Sequence, residues 1–177
     1  DPATLGLFQG SISRIRAMAL VHESLYRSDR LTSIGMEEYL RQLVDHLNET
    51  YALRKESIKI EVRAKGISLP LETAITYGLI VNELISNALK HAFPGDRSGL
   101  IRVLLAKYAP EEDTGVTRIR KIVLTVRDDG VGIPPEMEGG KADSLGLRLV
   151  QNLVSQLEGT IEIRRDGGTI FRIAFPE

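Results

Sequence analysis

Apolar positions divide the chain into a helical front, a long middle helix and a set of strands. Leu5, Phe8, Ile12, Ile15, Ala19, His22 and Tyr26 alternate spacings of three and four, the seam of a helix packing on another helix. Met18, Val21 and Leu25 widen that stripe. A single helix of about 25 residues with so broad an apolar face needs helical partners to cover it. A second helix is predicted from Met36 to about Tyr51, with Leu40, Leu43, Val44 and Leu47 at core spacing and Ser33 as a candidate cap. From Ser57 the period changes to two: Ile58, Ile60 and Val62 alternate with Lys59, Glu61 and Arg63, a half-buried strand. Helical spacing returns from about Leu71 to Ala92. Strands are predicted at Ile101 to Tyr108 and Lys121 to Arg127, joined by the polar run APEEDTGVTR as a solvated connection. The run PEMEGGKAD after Pro134 has no period and reads as a mobile loop. A helix from Ser144 to Leu157 follows, then strands at Thr160 to Arg165 and Thr169 to Phe175 joined by the hairpin signal Asp166-Gly167-Gly168. These elements predict a sheet built largely from hairpins, with helices on one face and a helical extension in front. No repeat interrupts them.

Composition narrows the classes of function. A length of 177 residues allows one substantial core plus a small appendage. The 23 basic and 24 acidic residues nearly cancel, so no excess field attracts a nucleic-acid backbone or an anionic membrane, and neither is expected as a partner. The absence of cysteine excludes a disulfide framework and a thiolate zinc site, and suits a reducing cytoplasm. No apolar stretch approaches the roughly 18 residues of a membrane span, and no signal peptide opens the chain. The chain starts at Asp1 rather than at methionine and is read as a piece of a longer protein, soluble or anchored.

Three runs carry candidate chemistry: NELISNALKHAFP at 82–94, DDGVGIP at 128–134 and SLGLRLV at 144–150. On the first, Glu83, Asn87 and His91 recur every four residues with Lys90 beside them, which puts them on one helix side. Carboxylate and amide oxygens suit Mg²⁺, a hard cation that takes few protein ligands when phosphates supply the others, and Lys90 would balance phosphate charge. A solvated helix face accounts for the same residues equally well, and packing or capping accounts for His91 alone. In the second run Asp128 ends a strand, and Gly130 and Gly132 turn the chain without side-chain obstruction. A carboxylate there can accept from an exocyclic amine and select adenine over guanine. An ordinary Asp-Gly turn is the plainer reading. In the third run, Ser144 and Gly146 open a helix whose free N–H groups favour an anion, and Ser144 serves equally as an N-cap.

Taken together, the runs resemble the N box and the first two glycine boxes of the sensor histidine kinases, within the ATPase superfamily that includes gyrase, heat-shock protein 90 and mismatch-repair ATPases. GGTIFRIAFP at 167–176 is similar to that family's final strand pair, with Thr169 where a residue supports the adenine-binding aspartate. RIRAMALVHESLYRSDRLTSIGMEEYLRQLV at 14–44 resembles the second dimerisation helix and the following helix of the HWE-like subfamily related to light-sensing bacterial kinases. The resemblance implies an α+β fold, the two-layer sandwich of the Bergerat type, preceded by one helix of a dimerisation hairpin. It divides the chain into an incomplete dimerisation region at 1–34 and a catalytic ATP-binding domain at 35–177. It implies that Asn87 binds Mg²⁺, Glu83 polarises the reacting groups, and Lys90 and His91 face phosphates. Asp128 would bind the adenine amine, Gly130 and Gly132 would shape its pocket, and Gly146 would meet phosphate in a mobile lid.

The implied activity is phosphoryl transfer from Mg-ATP to a histidine on a preceding helix absent here, then to an aspartate of a response regulator. The implied assembly is a homodimer through the front helix. His22 lies on the apolar seam and outside any acceptor-like run, so it is read as a packing residue. The sequence departs from the family in Ser144-Leu145-Gly146, where Gly-x-Gly is usual, in Arg148, and in a short lid. An anti-sigma-factor-type serine kinase and a non-catalytic ATP-binding or dimerisation module remain alternatives. ATP turnover separates the last of these from an enzyme.

Overall fold

A computed structural model of the chain describes residues 2–27, 33–51, 57–108, 121–134 and 144–177. The connections APEEDTGVTR and PEMEGGKAD fall outside the described residues, as do the side chains of Leu5, Leu25 and Tyr26. Among the described residues four α-helices are present: α1 (Pro2–Arg27), α2 (Met36–Tyr51), α3 (Leu71–Asn87) and α4 (Leu145–Gln156). A widened π-helical turn, Ala88–Ala92, extends α3.

The strands are β1 (Ile34–Gly35), β2 (Ile58–Arg63), β3 (Ser68–Leu69), β4 (Gly99–Tyr108), β5 (Lys121–Asp128), β6 (Thr160–Arg165) and β7 (Thr169–Pro176). Five of them form one mixed sheet in the order β2-β4-β5-β7-β6. Only β2 and β4 run parallel, because α3 occupies the crossover between them; the other neighbours are antiparallel. β1 and β3 pair separately.

The alternation of the strands decides which face the helices cover. Ile101, Val103 and Leu105 of β4, and Phe171, Ile173 and Phe175 of β7, are buried, while Arg102, Leu104 and Arg172 between them are exposed. The helices supply the matching apolar surface from Leu40, Leu43 and Leu47 of α2, Ile80 and Leu84 of α3, and Val150 of α4. Tyr77 stacks at a tilt on Phe175, ring centroids 4.5 Å apart. The result is the expected α+β two-layer sandwich.

One local expectation is corrected. Helix α2 does not begin at a Ser33 cap: residues 34–35 pair with β3, and the Met36 N–H donates to the Ile67 carbonyl at 2.9 Å. His22 is exposed on the outward side of α1. The apolar seam of α1 points outward, leaving Phe8, Ile12 and Ile15 more than 60% exposed. The opposite stripe, Ser13, Ala17, Leu20 and Val21, is the one buried against the rest of the molecule.

Candidate nucleotide site

Asp128 ends β5 at the helix-covered face and is 5% exposed, with no cation against it among the described residues. A buried carboxylate needs hydrogen-bond donors. Two backbone groups supply them: the Gly130 and Thr169 N–H groups donate to Oδ1 at 2.9 and 3.2 Å. The second oxygen, Oδ2, keeps its acceptor capacity. Glycine is required twice around this residue. A Cβ on Gly130 would stand 2.3 Å from the Ala92 carbonyl oxygen, and one on Gly168, already at φ +137°, 2.0 Å from the Asp128 carbonyl oxygen.

The end of α3 approaches the same point. The π turn opens the helix by about one residue, a distortion common at functional sites. His91 and Ala92 consequently line a cavity of about 410 Å³ together with Asn87 and Asp128. Val126, Ile133, Leu147 and Phe171 form its apolar walls, and Thr169 and Ser144 add polar atoms. Lys90, on the same turn, is exposed and outside the lining. Few polar groups at fixed places in an apolar cleft of this size fit a flat heteroaromatic ligand.

Helix α4 starts at the cavity edge. Ser144 caps it, its hydroxyl accepting from the Leu147 N–H at 3.3 Å. Gly146 passes close to α3: a Cβ there would lie 2.7 Å from Glu83 Oε2 and 3.8 Å from Asn87 Oδ1. The amides opening α4 therefore stand beside Asn87 at the cavity mouth, where an anion is favoured.

Glu83 is 6% exposed, and both of its oxygens are taken. Arg14 of α1 donates from Nε to Oε1 at 2.7 Å and from Nη2 to Oε2 at 3.2 Å. The Glu83 carboxylate holds the Arg14 guanidinium pKa above its usual value. Next to this pair the Ser13 hydroxyl donates to Asn82 Oδ1 at 2.7 Å.

Asn87, His91, Asp128, Gly132 and Thr169 thus share one cavity, with Gly130 and Gly146 shaping its borders, while Glu83 turns toward α1 and Lys90 toward solvent. Sequence reasoning missed Arg14, Arg97 and Arg165. Arg97 Nη2 donates to the Asp129 carbonyl at 2.9 Å, and Arg165 Nη2 to the Val131 carbonyl at 3.3 Å. Arg97 in a turn and Arg165 at a strand end carry no periodic signal, and the partner of Arg14 lies 69 positions away, so no local pattern could have singled them out. No group of three or more acidic or histidine residues able to hold a metal occurs among the described residues. A single Asn87 amide oxygen is nonetheless compatible with Mg²⁺, for which nucleotide oxygens and water complete the coordination.

Comparison with known proteins identifies the family and the fold. Residues 72–177 match the family described as histidine kinase-, DNA gyrase B-, and HSP90-like ATPase, and residues 1–51 match a histidine kinase family. The blue-light-activated histidine kinase 2 of Erythrobacter litoralis is 30% identical over 176 residues, covering 96% of this chain and 47% of that protein. The sensor histidine kinase PdtaS of Mycobacterium tuberculosis is 29% identical over 163 residues, covering 90% of this chain and 30% of that protein. The chain therefore spans half or less of the length of these relatives. The solved histidine kinase domain of the Erythrobacter litoralis EL346 blue-light activated histidine kinase superposes with a TM-score of 0.78 at 29% identity, over 94% of this chain and 74% of that one.

Proposed function

The chain belongs to the family of histidine kinase-, DNA gyrase B- and HSP90-like ATPases, and from that premise we propose that its cavity binds Mg-ATP for phosphoryl transfer to a protein histidine. The observation that carries this reading is Asp128: a buried carboxylate with one oxygen tied to two backbone N–H groups and the other facing an apolar cleft. An acceptor fixed in that way suits the exocyclic amine of adenine and opposes the carbonyl of guanine.

Asn87 would be the protein ligand of Mg²⁺, and His91 and the amides at Gly146 would face phosphate. Lys90, exposed on the neighbouring turn, would reach phosphate only by swinging in. Bound ATP and its metal supply the phosphoryl group and charge neutralisation. This chain's residues orient the base and hold the phosphate end at the mouth of the cleft, which is most of what phosphoryl transfer asks of a protein. Glu83 would polarise the reacting groups once parted from Arg14. The parent protein would work as a cytoplasmic homodimer through α1 and the hairpin helix that pairs with it, with a response-regulator aspartate as final acceptor. In this reading residues 1–34 belong to the dimerisation region and 35–177 to the catalytic domain.

Calorimetric titration of the chain with ATP and GTP, each with Mg²⁺, tests the site. ATP binding with GTP at least about tenfold weaker is expected. Equal affinities would overturn the assignment of Asp128.

A further inference from the structure

The turn after β5 is tied to its surroundings through backbone groups at Asp129, Gly130 and Val131. The Asp129 N–H donates to the Leu100 carbonyl at 3.3 Å, and Asp129 Oδ1 accepts from the Leu100 N–H at 2.7 Å. The Val131 N–H donates to the Ala92 carbonyl at 2.9 Å. The three successive carbonyls of Asp129, Gly130 and Val131 are then held by two arginines from opposite directions. Arg97, in the loop after α3, reaches the first two, at 2.9 and 3.5 Å. Arg165, at the end of β6, reaches the third at 3.3 Å. Its side chain also lies across Gly132, where a Cβ would meet Arg165 Nε at 3.0 Å.

We propose that Arg97 and Arg165 are positioning residues for base recognition. They fix the turn whose N–H at Gly130 orients Asp128, and so set adenine affinity without touching the nucleotide. The proposal rests on reading the cavity as an adenine site. Neither arginine lines the cavity, yet both act on the backbone that shapes it. Carbonyls gathered within one tight turn repel one another, and a guanidinium with several donors in a fixed plane offsets that repulsion better than an ammonium does. If the turn relaxes, the Gly130 amide leaves Oδ1, and the Asp128 carboxylate is free to rotate away from the base.

The alternative role for a cation here is direct contact with phosphate, and the two roles differ in what they do to a ligand without phosphates. Affinities for Mg-ATP and for adenosine are measured by calorimetry and NMR titration on the unmodified chain, Arg97→Ala, Arg97→Lys and Arg165→Ala. Arg97→Ala is expected to weaken ATP and adenosine by the same factor, roughly tenfold. Arg97→Lys should recover part of the loss, and Arg165→Ala, which releases one carbonyl, should lose less. Unchanged affinity in folded Arg97→Ala overturns the proposal, as does a loss for ATP with adenosine unaffected. Should Arg97→Ala fold poorly, Arg165→Ala decides by the same comparison. If the unmodified chain binds ATP but not adenosine, or neither ligand, the adenine site itself is refuted and the proposal falls with it.

Discussion

Replacing Asp128 by asparagine keeps the side chain's shape but forces a choice of which end faces the cleft. The Gly130 and Thr169 N–H groups both need an acceptor, so the amide oxygen must take the place of Oδ1 and the NH₂ must point into the cavity. A donor then meets the donor of the base. Hydrogen bonds to charged groups contribute about 1.5 to 3 kcal/mol, so Asp128→Asn should lower adenine-nucleotide affinity by at least about tenfold in calorimetry. Asn87 lines the mouth of the cleft rather than the core, so Asn87→Ala should weaken Mg-ATP while leaving the thermal midpoint near that of the parent. Undiminished magnesium-dependent affinity in that variant would remove Asn87 from the site. Asp128 and its glycines were legible in the sequence because a fixed spacing of residues encodes the whole turn. Glu83 was legible as a residue, yet its partner Arg14 lies 69 positions away, and no local pattern encodes that pairing.

Helical and strand periods located the regular elements well, because alternation and three-four spacing follow directly from burial. They did not give the π turn at Ala88–Ala92, which depends on how the end of α3 meets the turn after β5. Nor did they give the contacts that dock α1. The seam of Phe8, Ile12 and Ile15 faces outward, while α1 meets the rest of the molecule through Ala17, Leu20 and Val21 together with Ser13 on Asn82 and Arg14 on Glu83. Tyr39 of α2 completes the contact, donating to the Ala17 carbonyl at 3.1 Å. Gly78 leaves room for that phenol: a Cβ there would overlap the Tyr39 hydroxyl at 1.7 Å. The Arg14–Glu83 pair is the charged part of that docking. Arg14→Ala strands the buried Glu83 carboxylate and should cost about 1.5 to 3 kcal/mol of α1 docking. Arg14→Lys, with a point charge in place of two directed donors, should recover only part. Hydrogen exchange should quicken in α1 ahead of β5 and β7; uniform exchange in the variant would mean that the pair does not hold the helix.

At the scale of the molecule, the distance between the histidines and the cleft decides what the chain can do alone. Ala17 lies by Gly78 through Tyr39, and Ser13 lies on Asn82, so α1 runs antiparallel to α3. In that register His22 falls level with the first turn of α3, whereas Asn87 and His91 stand at the other end. At 1.5 Å per residue the separation is roughly 20 Å along the helix axis, far beyond reach of an in-line transfer within one chain. His46 sits on α2, where burial and the nearby Arg16 lower its pKa, and His91 lines the cleft itself. Incubation of the chain with γ-labelled ATP should therefore leave no acid-labile phosphate on it, although ATP binds. In a longer protein in which an acceptor helix precedes α1, as the proposed function requires, labelling is expected. That helix would bring the acceptor and cover Phe8, Ile12, Ile15 and Met18, the exposed apolar face that a dimeric bundle would bury. Ile12→Glu in the longer protein should then abolish labelling and dimerisation together while sparing ATP affinity, read by light scattering and calorimetry. Acid-labile phosphate on His22 of the chain as it stands would make α1 the acceptor helix and would require transfer between two copies.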